Sequence, residues 1–251
     1  MVNRGEFEDP RLVEVYDAET VWGWDDDLFM ALLAERDAPR VLDFGCGTGR
    51  LAIAMAAAGH EVTAIEPARA ALDAARRKPG AEAVHWIAGA VEAVPSRAFE
   101  AVLMTNHVAQ SFVSDEQWLS TLRVLRRALV AGGRLIFDSR DPEGRPWVAW
   151  NPADSRRPVV LPDGDVVDTW MTVDSVKGST VDVTRHYVFT HSDERRSSTT
   201  LRFRSESELR ITVEAAGFDV DRLYGGWARE PVGTGDDGEL IAVAMARPQG
   251  R

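Results

Sequence analysis

The stretch Val41-Leu42-Asp43-Phe44-Gly45-Cys46-Gly47-Thr48-Gly49-Arg50 decides the fold. Four residues of strand character run into a turn with glycine at every second position, and a helical segment from Arg50 to Ala58 follows. Glycines at 45, 47 and 49 let the chain turn tightly and let a ligand approach the backbone with no Cβ in the way. The spacing is G-x-G-x-G, preceded by an acid at Asp43. A dinucleotide fingerprint, G-x-G-x-x-G, would place its third glycine at Arg50, a side chain too bulky for the close helix-to-strand packing that position serves.

Outward from this turn the chain alternates. Glu61 to Ile65 reads as strand, Ala68 to Arg77 as helix and Val84 to Ile87 as a short strand, with Val91 to Pro95 undecided. Ala101 to Thr105 then reads as strand, Glu116 to Leu129 as helix and, after Gly132-Gly133, Arg134 to Asp138 as a fifth strand. Five strands alternating with helices imply a parallel sheet with right-handed crossovers, a doubly wound α/β fold. Ahead of it, Leu28, Phe29, Leu32 and Leu33 fall at helical spacing within Asp25 to Glu35, and Pro39 stops that helix.

Beyond Asp138 the rhythm breaks, because Pro142, Gly144, Pro146, Pro152, Pro158 and Pro162 resist regular elements. Val166 to Val173, Thr180 to Thr190 and Arg195 to Arg204 then alternate and are rich in Val and Thr, with turn signals at Asp163-Gly164 and Lys177-Gly178, so antiparallel strands are expected. Ser207 to Ala216 reads as a helix capped by Gly217, and Phe218 to Tyr224 and Leu240 to Ala246 as closing strands. The expected organisation is a helical N-terminal segment over residues 1–39, an α/β domain over 40–143 and 205–251, and a β-rich insertion over 144–204.

With those residues in hand, the chain resembles the class I S-adenosylmethionine-dependent methyltransferases, whose first motif has the form (V/L)LDxGCGTG. Glu61 to Pro67 resembles the second strand of that family, Phe99 to Thr105 its fourth, and Leu129 to Phe137 the approach to its fifth. Met104 to Gln110 and Phe137 to Pro142 resemble a group of bacterial small-molecule members. The resemblance implies a Rossmann-like, mostly parallel seven-stranded sheet with the β-rich insertion after the fifth strand, and S-adenosylmethionine as cofactor. It implies cofactor contacts at Asp43, Gly45, Cys46, Gly47, Gly49, Glu66 and Pro67, with Glu66, 17 residues after Gly49, taking the ribose hydroxyls. Many members carry G-D-A after the third strand. Here the run is Gly89-Ala90-Val91-Glu92, so adenine recognition is expected from the backbone of Ala90 and Val91, with Glu92 as a further candidate. Asn106 is expected at the methionine portion of the cofactor, and Tyr16, Trp22, His107, Gln110 and Arg140 at the acceptor.

Single residues carry open alternatives. Asp43 either contacts the cofactor or braces the loop through backbone N–H groups. His107 has the side chain suited to proton removal near neutrality and either acts as the base or orients the acceptor. Tyr16, Trp22 and Trp24 either fold over the cofactor as part of a lid or simply pack the N-terminal segment. The insertion, with Trp147, Trp150 and Trp170, either roofs the acceptor pocket or forms a homodimer interface. Cys46 is expected as a small residue rather than a nucleophile. Asp25 or Asp26 is expected to cap a helix, since consecutive acids do not converge on one ion, and no metal is expected, because Thr105 and Asn106 stand where metal-dependent catechol-type members carry acids.

Composition narrows the function classes. The 251 residues carry a formal net charge of -11 and are 45% hydrophobic, enough for a sizeable core and unsuited to neutralising nucleic-acid phosphates. The stretch MVNRGEFEDP is polar and acidic, so no signal peptide is expected; no apolar run is long enough to span a bilayer, and the single cysteine fits a reducing compartment, so a cytoplasmic location is expected. The expected partner is a small-molecule methyl acceptor. Two rivals remain at this level: an NAD-linked oxidoreductase, against which Arg50 counts, and a non-catalytic cofactor-binding protein.

Overall fold

A computed structural model describes residues 3–190, 193–235 and 238–248. In chain order the elements are β1 (Asn3–Arg4), α1 (Pro10–Glu19), α2 (Trp24–Ala34), β2 (Arg40–Phe44), α3 (Arg50–Ala57), β3 (Glu61–Glu66), α4 (Arg69–Arg76), β4 (Val84–Ala88) and β5 (Phe99–Met104). They continue with α5 (Asp115–Ala128), β6 (Leu129–Arg140), α6 (Pro152–Ser155), β7 (Arg157–Val160), β8 (Val166–Lys177), β9 (Thr180–Val188), β10 (Glu194–Arg202), α7 (Glu206–Ala215), β11 (Phe218–Tyr224) and β12 (Glu239–Ala246). Among the described residues no helix is long and apolar enough to cross a membrane.

The main sheet has seven strands in the order β4-β3-β2-β5-β6-β12-β11. β2 through β6 run parallel, while β12 is antiparallel to both β6 and β11. Such a sheet must be covered on both faces, and β2 shows why its run is apolar throughout. Leu42 and Phe44 join a cluster with Trp118, Leu122 and Phe137, whereas Val41 joins one with Phe29, Leu32 and Met55. Local chemistry fixes the helix ends. Ser114 caps α5, with acids in its first turn and Arg126 and Arg127 in its last, and Ser205 and Glu208 form a capping box on α7. The strand order reverses between β2 and β5, and the carboxyl ends of those strands face the crevice where ligands of open α/β sheets bind.

The second sheet, β7-β8-β9-β10-β1, is antiparallel. Two of its features were not expected. Residues read as irregular include β7, an edge strand, where Pro158 loses no ladder hydrogen bond. The N-terminal segment also belongs to this layer, since β1 pairs with β10 and Leu12 and Val15 of α1 pack on Val159, Val167, Tyr187 and Phe189. The neighbouring Val13 sits instead with Ala68, Ala71 and Ala74 beside α4. α1, begun by Asp9 as cap and Pro10 as its first residue, therefore ties the second sheet to the first.

Candidate functional site

A cavity of about 720 Å³ lies between the glycine turn and the second sheet, within the range small-molecule sites occupy. Its floor includes Asp43, Gly45, Cys46, Gly47, Glu66, Pro67, Ala90 and Asn106. His107, Arg140 and Trp150 form one wall, and Glu6, Phe7, Tyr16 and Thr20 another. Met171, Val183 and Leu201 line it from the second sheet.

The floor follows from the turn. Gly45, Gly47 and Gly49 all have left-handed backbone, with φ of 81°, 53° and 77°. The amides of Gly45 and Cys46 donate to the Ile65 carbonyl, which fixes the turn against the end of β3. There the buried Glu66 carboxylate accepts from the Gly47 N–H at 3.0 Å and the Ala68 N–H at 2.9 Å. Burial raises the Glu66 pKa, and those two N–H groups hold it back. Asp43 lies buried beside it, with Oδ1 lacking any hydrogen-bond partner. Burial first, and then the Glu66 charge, push Asp43 up to about 7. The Cys46 thiol is raised well above its ordinary value by burial and by the charges of Asp43 and Glu66, the opposite of what a thiolate nucleophile needs.

A latch closes the N-terminal wall. The Asp17 carboxylate accepts from Thr48 Oγ1 at 2.5 Å and from Lys78 Nζ at 2.8 Å, while Lys78 also donates to the Thr48 carbonyl. Tyr16 meets Phe7 edge-on, and its hydroxyl, pushed up to about 12 chiefly by burial, accepts from Asn106 Nδ2 at 2.6 Å. Asp26 accepts the Gly23 N–H as a cap of α2, and it also pairs with Arg50, a cavity residue.

His107 is placed differently from a free base. Its Nε2 lies 2.9 and 3.0 Å from the two Glu239 oxygens and 3.3 Å from Asp138 Oδ2, so this nitrogen carries the proton and donates it. Nδ1 is buried without a partner. Burial, then the neighbouring Arg140, drive His107 down to about 4, and burial drives Asp138 up to about 6. Arg140 Nη1 donates to Gln110 Oε1 at 3.0 Å, and its guanidinium lies over the Trp150 ring.

Four expected contact residues do not line the cavity. Gly49 packs behind the turn against Trp86, and Val91 against the core under β4 and β5. Gln110 is fully buried and supports Arg140, and Trp22 turns its Nε1 outward to Asp27 at 2.7 Å. Of the three insertion tryptophans, Trp150 reaches the cavity. Trp147 meets Phe203 edge-on, and Trp170 stacks on His186. Asp138, Glu239, Asp17 and Arg50 escaped the sequence reading; the first two are joined to His107 across 31 and 132 residues, a separation that no local motif reports.

Known proteins point the same way. Residues 41–133 match the family model described as a methyltransferase domain. The chain is 27% identical over 214 residues to a cypemycin N-terminal methyltransferase of a Streptomyces species, covering 82% of this chain and 83% of that protein. A malonyl-[acyl-carrier protein] O-methyltransferase of Pseudescherichia vulneris is 32% identical over 132 residues, and the match spans about half of each chain, 52% and 51%. The same fold occurs in the CcbJ methyltransferase of Streptomyces caelestis, with a TM-score of 0.74 at 21% identity over 96% of this chain and 98% of that one. It occurs too in CalS10, an amino pentose methyltransferase of Micromonospora echinaspora, with a TM-score of 0.69 at 22% identity over 92% and 94%. The match from Val41 to Gly133, across the strands that build and flank the glycine turn, together with these methyltransferase relatives and structural neighbours, supports a class I S-adenosylmethionine-dependent methyltransferase.

Proposed function

We propose that this enzyme transfers the methyl group of S-adenosylmethionine to a nitrogen atom of a small molecule, held between the glycine turn and the second sheet. The observation that carries the choice of nitrogen is the environment of His107. Its Nε2 is spent on Glu239 and Asp138 and its Nδ1 is sealed, so neither nitrogen is open to an acceptor in the cavity. A hydroxyl acceptor needs a base to take its proton, whereas an amine in its free-base form already presents a lone pair. An α-amino group, with a pKa of about 7.7–8.0, is free base in useful amount near neutrality. After transfer the methylated ammonium releases its proton to water. The relative that matches over 82% of this chain is named an N-terminal methyltransferase and CalS10 an amino pentose methyltransferase, while the O-methyltransferase match covers 52%.

The residues present fit the cofactor. Asp43 Oδ1 is an orphaned buried acceptor, Glu66 supplies a carboxylate at the ribose position, and Gly47 leaves its backbone open to the cavity. Bound there, S-adenosylmethionine supplies an electrophilic methyl group on a sulfonium. The chain's own work is to orient the acceptor and exclude water, with Met171, Val183, Leu201 and Trp150 offering the apolar part of a roof that also carries Arg157 and Arg185. That placement supports the roof reading of residues 144–204 over a homodimer interface for this face, and the N-terminal segment shares the role through Phe7 and Tyr16.

Glu66→Ala is expected to weaken S-adenosylmethionine binding by about 1.5–3 kcal/mol, roughly 10- to 150-fold, through loss of charge-assisted hydrogen bonds. Calorimetry reads this, and an unchanged dissociation constant removes Glu66 from the site. The acceptor is tested with labelled-methyl transfer to primary amines, amino sugars and a peptide N-terminus among them, each beside its hydroxyl counterpart. Only amines should be labelled, with kcat/KM rising up to the acceptor's own pKa. Equal labelling of the hydroxyl counterparts refutes the nitrogen assignment.

A further inference from the structure

We propose that Glu239 and Asp138 are positioning residues that hold the Asn106-His107 turn in a left-handed form, and that this turn shapes the cofactor-facing side of the cavity. Asn106 and His107 have φ of 55° and 62°, two consecutive non-glycine residues in a region that L side chains avoid. Such a backbone persists only where its surroundings over-determine it. Here the surroundings are two carboxylates from strands next to β5 and beyond. Asp138 of β6 accepts the His107 backbone N–H at 2.8 Å, and Glu239, the first residue of β12, accepts from the His107 ring at 2.9 Å. β12 pairs with β6 at this very edge, with Glu239 opposite Arg140, so both carboxylates sit on one rigid ladder.

The turn matters to the cofactor through what it touches. Val108, its next residue, packs so closely on Gly45 that a Cβ there would lie 2.9 Å from Val108 Cγ2. Asn106 reaches across the cavity to the Tyr16 hydroxyl at 2.6 Å and so joins the turn to α1. A turn that relaxed toward ordinary backbone would pull away from the glycine turn and break the link to the N-terminal wall. His107, Asp138 and Glu239, with donor atoms within 4.8 Å of one another, also form a donor set that a divalent ion would accept. The ring donating to Glu239 and the backbone N–H donating to Asp138 Oδ2 account for those atoms without one, while Asp138 Oδ1 and His107 Nδ1 are buried without a partner, and the experiment separates the two readings.

The inference rests on the cavity being the cofactor site, so its probe is S-adenosylhomocysteine, whose binding needs no knowledge of the acceptor. Wild-type protein that fails to bind the probe defeats the cofactor site itself rather than the positioning role. Glu239→Ala is expected to weaken binding about tenfold by calorimetry. Glu239→Gln, which keeps an accepting oxygen, should stay within about threefold of wild type. The decisive readout is the same Glu239→Ala change in a His107→Gly background, where glycine adopts the left-handed backbone unaided. There the tenfold loss should shrink to less than about twofold. A Glu239→Ala protein that folds and binds like wild type overturns the proposal. So does a loss undiminished in the His107→Gly background. Affinity that falls on dialysis against a chelator and returns with Zn²⁺ or Mn²⁺ also overturns it and makes the cluster a metal site.

Discussion

Gly49→Ala is expected to lower the melting temperature by about 5–15 °C, while Gly47→Ala shifts it by only a few degrees and acts on cofactor affinity instead. Both glycines have left-handed backbone, at 77° and 53°, so each alanine pays roughly 1–2 kcal/mol for the conformation. What separates them is the space around the new methyl group. At Gly49 it would overlap Cη2 of Trp86 and lie 2.9 Å from Cζ3 of that ring and 3.0 Å from the Ala75 Cβ. The Trp86 ring is tethered by its Nε1 to the Ala81 carbonyl at 2.8 Å, so it does not simply swing aside. Overpacking of that kind adds about 1–3 kcal/mol, and a chain of this length loses about 2–4 °C per kcal/mol. At Gly47 the nearest atom is Phe7 Cε1 at 3.8 Å, and the residue lines the cavity. Thermal melts with and without S-adenosylmethionine decide the matter. A Gly49→Ala protein that melts like wild type would mean that the third glycine serves the ligand and not the packing.

This division of labour within one motif marks the limit of what the sequence discloses. The alternation of strands and helices from Val41 to Asp138 is legible because each element has its own period and each turn its own glycine or cap, all local properties. Glycine at 45, 47 and 49 announces a tight turn, but not that the first and third are hemmed in by Val108 and Trp86 while the second faces the cavity. α1 carries a start signal that is local and legible, Asp9-Pro10. β1 is different in kind. Two residues whose partners, Ser198 and Thr199, lie almost 200 positions away have no local signature, so the sharing of one sheet by the N-terminus and the insertion had to come from the structure. His107 was legible as a residue at the sheet edge, and its chemistry was not. The carboxylates that occupy its ring come from β6 and β12, and their pairing converts a candidate base into an anchor.

Asp43→Asn is expected to stabilise the ligand-free protein at pH 8 while weakening its hold on S-adenosylmethionine. The Asp43 carboxyl is buried, one oxygen has no partner, and its pKa is raised from an ordinary 3.8 to about 7 by burial and the Glu66 charge. A carboxyl raised in the folded state binds its proton more tightly there than in the unfolded chain. The Asp43 contribution to stability is therefore greatest below about pH 4, falls as pH rises toward 7, and stays low above it. The full shift corresponds to about 4 kcal/mol. Asparagine carries no charge at any of these pH values and removes that falling limb. Its own amide N–H groups also need partners, which leaves a net gain of about 2–3 kcal/mol at pH 8, or several degrees in Tm. The functional cost comes from the same atom, since a sulfonium-bearing cofactor favours the ionised Asp43 that folding disfavours. If the bound form keeps Asp43 ionised, wild-type affinity should tighten about tenfold between pH 6 and pH 8, with a proton released on binding. The Asn variant should bind more weakly and show neither effect. Calorimetry in two buffers of different ionisation enthalpy counts the proton, and melts at pH 5.5 and pH 8 read the stability. A variant less stable than wild type at pH 8, or a wild-type affinity flat across this range, would show that Asp43 braces the turn and does not sense the cofactor.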